Sequence, residues 1–155
     1  MQYNHELDRY AITHVDTLKR CMLGGRGTVC LVSPSGKAHT YKFNKPLNKD
    51  QYPDDVIFVN VLHESKYFYI GMIEGHRFRV TKHSRFDEDS ESVKGAKYLM
   101  EMINVDGFFK STRMKVYHTG RCSVCGRKLT SENAIQIGVG NKCLRKLKAR
   151  LDVRK

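Results

Sequence analysis

The chain has 155 residues, of which 40% are hydrophobic, and this suffices for one modest core or for a core with a small accessory module. No apolar run reaches the roughly 18 residues of a transmembrane helix, and the polar residues 1–8 lack the apolar segment of a secretion signal. The five cysteines are an odd number, and three of them fit a metal site. We therefore expect a cytoplasmic protein with no membrane partner and no disulfide framework.

The positive charge is concentrated in the last third of the chain. The formal net charge is +12, and residues 110–155 contain 13 Lys/Arg against 2 Asp/Glu, whereas residues 1–109 contain 15 against 14. A focused basic region predicts a polyanionic partner, most simply DNA or RNA. The alternative is a solvated face that keeps a small protein soluble.

The first part of the chain is predicted to contain a short helix and a sheet. Apolar residues between Leu7 and Leu18 include helical spacings, and the glycine cluster at 24–27 predicts a turn. Short links between the later strand-like segments predict antiparallel hairpins. The strand-like segments cover 28–32, 39–43, 56–62, 67–73 and 76–80.

A second helix is predicted after the sheet, with Ser90 or Ser92 as its N-cap. Its apolar residues share one helical face, namely Val93, Ala96, Leu99, Met100 and Ile103. The segment from Phe108 to Tyr117 is predicted to be an extended lead-in to the motif that follows. The predicted fold class is α+β, in which a small antiparallel sheet with a covering helix occupies a domain at 1–109.

Three cysteines in residues 110–155 have the spacing of zinc ligands. Cys122 and Cys125 are separated by two residues, so one tight turn can chelate a Zn²⁺ ion. Cys143 follows after 17 intervening residues, which is near the spacing of paired-cysteine zinc sites. Apolar residues at 129, 135 and 137 predict a small hairpin, and a helix from Lys142 to about Val153 places Cys143 in its first turn. Knuckle, hairpin and helix in this order predict a treble-clef-like zinc module that ends in a basic helix.

A structural zinc ion almost always has four protein ligands, and His118 is the predicted fourth. His83, Cys21, Cys30, another histidine or a second chain remain alternatives. A catalytic zinc would need a nearby general base. Glu132 is the one carboxylate between Cys122 and Cys143, and the pattern of zinc deaminases is absent. We therefore expect one structural Zn²⁺ and no enzymatic activity.

Basic residues surround the predicted metal ligands. The leucines at 144, 147 and 151 recur at helical spacing, so the opposite face of their helix is almost wholly cationic. Such side chains neutralise phosphates and provide affinity with little sequence readout. The predicted nucleic-acid-binding residues are Arg121, Arg127, Lys128, Lys142, Arg145, Lys146, Lys148 and Arg150.

The cysteine segment resembles a short zinc-binding domain of unknown function that is common in bacteriophage and actinobacterial proteins. The similarity covers residues 118–143, where Val139 and Asn141 replace the usual Ile and Pro, and where His118 precedes the first cysteine as it often does in that family. The resemblance implies a zinc module, often attached to small β-rich or DNA-processing proteins. The residues that carry it are Cys122, Cys125, Gly126, Arg127, Leu129, Thr130, Gly138, Gly140 and Cys143.

These observations predict a non-enzymatic, phage-type zinc-binding protein whose basic module binds DNA, RNA or a nucleic-acid-bound complex in the bacterial host cytoplasm. The alternative is a phage-encoded inhibitor or modulator of a host protein, such as a defence enzyme or a DNA- or RNA-processing enzyme. A zinc-dependent nuclease is the third possibility, and it is disfavoured because no second carboxylate or histidine cluster accompanies the cysteines. The sequence leaves the oligomeric state open.

Overall fold

A computed structural model describes residues 5–47, 50–52 and 55–146 of the chain. The predicted α+β class is confirmed, since six strands form one sheet and helices precede and follow it. A 3₁₀ helix at His5–Tyr10 comes first. The strands are β1 (Arg26–Val32), β2 (Ala38–Asn44), β3 (Val56–His63), β4 (Lys66–Glu74), β5 (Arg77–Arg79) and β6 (Lys115–His118). The helices are α1 (Val15–Leu23), α2 (Glu91–Asn104), α3 (Phe108–Ser111), α4 (Glu132–Ile137) and a segment α5 that is helical over 141–146.

The sheet is antiparallel throughout, in the order β5-β4-β3-β2-β1-β6. The five predicted strands are confirmed, and the predicted hairpins are found where short links join β3 to β4 and β4 to β5. The prediction of an extended segment from Phe108 to Tyr117 is wrong at its start, where α3 forms one helical turn. Its end is the sixth strand, β6, which pairs with β1 through registers such as Cys30↔Tyr117.

The hydrophobic core lies between one face of the sheet and the helices α1 and α2. Helix α1 contributes Leu18 and Met22, and α2 contributes the apolar face that its sequence predicts. The buried strand residues include Val29, Leu31, Tyr41, Phe43, Ile57, Val59, Val61, Ile70, Ile73 and Val116. Within the described ranges, no helix has both the length and the apolar character that crossing a membrane requires.

Strand β6 connects the predicted cysteine module to the rest of the protein. It belongs to residues 110–155, yet it completes the sheet whose other strands come from residues 1–109. The 3₁₀ helix lies against it, and Ile12 N–H donates to Val116 O at 2.8 Å. The cysteine-bearing segment that follows β6 therefore starts from a strand whose position is set by the main sheet.

Helix α2 approaches the sheet closely at Gly95. Ser90, one of the two predicted candidates, caps the helix, because its hydroxyl accepts a hydrogen bond from Val93 N–H at 3.2 Å. The Tyr41 hydroxyl donates to Ser92 O at 2.6 Å, and it occupies the space that a Cβ atom on Gly95 would need. The absence of a side chain at position 95 is thus a packing requirement.

We expect Gly95→Ala to destabilise the protein although alanine favours helices over glycine by about 0.8–1.0 kcal/mol. Overpacking against Tyr41 costs roughly 1–3 kcal/mol, so the midpoint of thermal or urea unfolding falls. Lys94→Ala, at a neighbouring exposed position of the same helix, is the control. In a Tyr41→Phe background the cost of Gly95→Ala shrinks, because the hydroxyl that meets the new methyl group is gone. An equal cost in both backgrounds would contradict this account.

Candidate metal centre

The structure brings three predicted metal ligands together. The Sγ atoms of Cys122, Cys125 and Cys143 all lie within 4.8 Å of one another. Cys122 is buried, whereas Cys125 and Cys143 are partly exposed. Thiolates bind Zn²⁺ at about 2.3 Å, so a single ion can reach all three sulfur atoms after small side-chain adjustments.

The first two cysteines lie on a tight loop that backbone hydrogen bonds close. Cys122 N–H donates to Arg127 O, and Gly126 N–H donates to Cys122 O, both at 2.8 Å. One residue further out, Arg121 and Lys128 form an antiparallel bridge. The loop therefore holds both sulfur atoms on one side, which is the geometry that the two-residue spacing predicts.

Electrostatics favour a cation between the three sulfur atoms. Burial raises the pKa of Cys122, but N–H groups of Gly140, Cys125 and Val124 lower it by more, so its pKa falls to about 7. The Cys122 sulfur accepts a hydrogen bond from Gly140 N–H, with a nitrogen–sulfur distance of 3.4 Å. Burial and then the neighbouring thiols of Cys125 and Cys122 raise the pKa of Cys143 to about 11. A bound divalent ion relieves this crowding, because it stabilises all three thiolates at once.

The segment between the cysteines differs from the prediction. The predicted hairpin is wrong, because residues Glu132–Ile137 form helix α4 and bury Ala134 and Ile135. The Ser131 hydroxyl accepts from Ala134 N–H at 3.1 Å and caps this helix. Two short helices thus follow the loop, and the treble-clef order is not found in the described residues. Cys143 lies in the first turn of α5 as predicted, while the predicted continuation beyond 146 lies outside the described residues.

His118, the predicted fourth ligand, has another role. Its Nε2 donates to Ile135 O at 2.6 Å, and its Nδ1 accepts from Gly120 N–H at 2.9 Å. The ring is buried and lies 5.5 Å from the ring of Tyr10. Burial lowers its pKa, so the neutral form with one donor and one acceptor nitrogen is favoured. Because both nitrogens have backbone partners, this geometry corrects the assignment of His118 as a ligand.

The other residues considered as a fourth ligand also lie outside the three-thiol cluster. His83 is exposed in the segment after β5. Cys30 is buried in β1 near Tyr117. Cys21 is buried in α1, where burial raises its pKa to about 12 in spite of a hydrogen bond with Ser123. Within the part of the chain that the structure describes, the potential metal ligands that lie close together are thus the sulfur atoms of Cys122, Cys125 and Cys143.

Ser123 joins the separate parts of the centre, and the sequence analysis missed it. Its N–H and its hydroxyl both donate to Gly138 O, at 3.0 and 2.8 Å. Its own carbonyl accepts from Arg26 N–H at 2.8 Å. The residue therefore ties the loop of Cys122 and Cys125 both to the end of α4 and to the start of β1. Only its position between two cysteines could have signalled this role.

The cysteine loop and α4 are docked on the corner between α1 and β1. The Thr17 hydroxyl donates to Gln136 O at 2.9 Å, and Arg20 Nε donates to Ile137 O at 3.1 Å. The Arg26 guanidinium donates to Cys125 O at 3.1 Å. A Cβ atom on Gly24 would lie only 2.7 Å from Ser123 O, so the glycine turn permits this close approach. No local signal identifies these contacts, because their partners are 99 to 119 residues apart.

A cationic cleft opens beside the three sulfur atoms. Its volume is about 340 Å³, and its lining includes all three cysteines together with Asn141, Leu129 and Gly140. Four cations complete it, namely Arg127, Lys128, Lys142 and Lys146. These four are exposed, as are Arg121 and Arg145. The other two residues predicted to bind nucleic acid, Lys148 and Arg150, lie outside the described residues.

Comparison with known proteins gives a match to the cysteine-bearing part. Residues 113–148 match a family model described as "Family of unknown function (DUF6011)". The match contains the whole three-thiol cluster but covers less than a quarter of the chain. No curated protein and no solved structure matches. The description of the family states no activity.

We expect Cys143→Ser and His118→Asn to have different effects on metal content. Cys143→Ser removes a thiolate and abolishes tight binding, whereas His118→Asn retains about one zinc ion per chain. His118→Asn instead lowers the free energy of unfolding by about 1–3 kcal/mol, because buried hydrogen bonds are lost. Elemental analysis after gel filtration and urea unfolding measure the two quantities. Loss of zinc from a folded His118→Asn protein would contradict this account and support His118 as a metal ligand.

We expect Ser123→Ala to weaken zinc binding by about 10–100-fold, the usual effect of removing a group that orients metal ligands. The hydroxyl bond to Gly138 O is lost, so the segment that carries Cys143 is held less firmly against the loop. Competition with a chromophoric chelator measures the affinity. Thr130→Ala, at an exposed position of the same segment, is the matched control and leaves the affinity unchanged. Equal affinities for both variants would contradict the role of Ser123.

Proposed function

We propose that the protein is a non-enzymatic zinc-binding protein that binds nucleic acid through the basic surface around its metal centre. The observation that carries this proposal is the placement of the cations. Arg121, Arg127 and Lys128 on the cysteine loop and Lys142, Arg145 and Lys146 on α5 are all exposed. Together they form the basic surface, which belongs to the same small unit as the three thiols.

The basic surface has little negative charge to balance it. Among residues 110–146, Glu132 is the one acidic side chain. The ion pairs found within the described residues involve other groups, for example Lys37 with Glu91 and Lys97 with Glu88. Cations without acidic neighbours attract phosphates over several ångströms and gain affinity by releasing counterions.

Zinc fits the three thiols because thiolate ligands in this compact arrangement favour Zn²⁺ over hard cations such as Mg²⁺. The bound ion would supply folding free energy to a segment with a small core of its own. Cys122, Cys125 and Cys143 would hold it, and the loop and α5 would then present their cations at fixed spacings. The role of the ion in this proposal is therefore structural.

A binding role agrees better with the site than hydrolysis does. A hydrolytic zinc needs a general base placed beside the metal-bound water. No Asp or Glu of the described ranges has its carboxylate in the cluster of ligand atoms, and none lines the cleft beside it. Phosphate contacts by Arg and Lys predict affinity for many sequences rather than for one base sequence.

We expect the protein to bind short fluorescein-labelled DNA or RNA in a strongly salt-dependent manner, measured by fluorescence anisotropy. Each phosphate neutralised on a duplex contributes about −0.9 to the slope of log K against log salt. The triple variant Arg127→Gln, Lys128→Gln and Arg145→Gln reduces this slope by about 3. Glutamine is chosen because a new carboxylate could bind the metal.

The matched control removes the same charge from the other part of the chain. Lys66, Lys82 and Lys94 are exposed and distant in sequence from the three ligand cysteines, and their triple replacement by Gln leaves the slope nearly unchanged. Zinc content and circular dichroism establish that both variants are folded. Absence of binding to any single- or double-stranded DNA or RNA at low salt would contradict the proposal, and so would equal effects of the two triple variants.

A further inference from the structure

We propose that the cleft beside the three thiols is a phosphate-binding subsite, and that a phosphate oxygen from the bound partner completes the coordination of the metal. The inference rests on the zinc site and the nucleic-acid role proposed above, and it names the group of the partner that the centre contacts. It assigns Lys128, Lys142 and their neighbours to one phosphate rather than to a diffuse surface.

The three thiols are one ligand fewer than zinc usually has. Three sulfur atoms converge in the described ranges, and zinc prefers a tetrahedral set of four ligands. His118 is unavailable to the metal because both of its ring nitrogens have backbone partners. Three protein ligands with one position for an outside group is the arrangement of catalytic zinc sites. Within the described ranges no carboxylate lies in the cluster or lines the cleft, so the site fits binding of the outside group rather than its hydrolysis. Asp152 lies outside the described residues, and the experiment below therefore includes it.

The cleft gives an outside group access to the sulfur atoms. All three cysteines line it, and Cys125 and Cys143 are partly exposed, so an outside group can reach the sulfur cluster. Its volume of about 340 Å³ falls near the lower end of the roughly 300–1,000 Å³ of small-ligand sites. A group of the size of a phosphate with part of its sugar suits such a cleft better than a folded protein segment does.

The positive charge of the residues that line the cleft favours an anionic ligand. Zinc with three thiolates carries one net negative charge, which by itself would repel an anion. The four cations that line the cleft, Arg127, Lys128, Lys142 and Lys146, reverse this sign. The lining residues in the described part include no Asp or Glu. Arg and Lys donate charge-assisted hydrogen bonds to phosphate oxygens, whereas a neutral imidazole ligand would gain nothing from them.

Cobalt substitution tests the inference on the full-length protein. The visible absorption of Co²⁺ bound by the three thiolates reports a change of the fourth ligand. We expect both inorganic phosphate and an unlabelled oligonucleotide to change this spectrum, with sodium perchlorate at equal ionic strength as the blank. Lys128→Gln with Lys142→Gln raises the phosphate concentration for half the change by at least about tenfold, which corresponds to about 1.4 kcal/mol.

The control pair Lys66→Gln with Lys82→Gln has the same net charge as the cleft variant and leaves the midpoint of the phosphate titration unchanged. A spectrum that responds to phosphate although no oligonucleotide binds supports the subsite and contradicts the nucleic-acid role. An oligonucleotide that binds without changing the spectrum overturns the subsite and leaves the proposed function intact. A spectrum that ignores both ligands but changes in Asp152→Asn overturns the inference, because the fourth ligand is then internal.

Discussion

The metal centre depends on the hydrogen bonds that join Ser123, on the cysteine loop, to two other segments of the chain. The loop of Cys122 and Cys125 and the segment of Cys143 are separate in sequence, and Ser123 links them by donating twice to Gly138 O. The same residue accepts from Arg26 N–H, which connects the loop to the first strand of the sheet. The three sulfur atoms therefore converge on a frame that the rest of the fold supports.

This frame makes the cysteine module and the sheet parts of one structure. Strand β6 belongs to the sheet, and His118 at its end bonds to Ile135 of α4 and to Gly120 of the loop. Arg20 on α1 donates a hydrogen bond to the last turn of α4. Loosening of the metal-bearing segment would thus disturb the edge of the sheet at β6 and the corner after α1.

Two charge imbalances lie close together at the centre, one among the thiols and one among the cations around them. The three sulfur atoms lie within 4.8 Å of one another, and burial together with the neighbouring thiols raises the pKa of Cys143. The exposed cations around them have few acidic partners in the described ranges. A divalent ion relieves the first imbalance and a polyanion relieves the second. The two proposals therefore have one electrostatic origin, and the cleft is the place where the metal and the cations meet.

The sequence by itself determined the features that depend on local spacing. The Cys122–Cys125 spacing, the strand-like segments with their short links and the cap at Ser90 all act over a few residues, so each could be predicted. The two isoleucines of α4 alternate as in a strand, and only the Ser131 cap and burial against the loop make that segment helical. His118 had the right spacing for a ligand, but Ile135 and Gly120 occupy its nitrogens. Strand β6 and the roles of Ser123 and Arg26 were decided by tertiary structure, because hydrogen bonds to distant backbone atoms leave no periodic signal in the sequence.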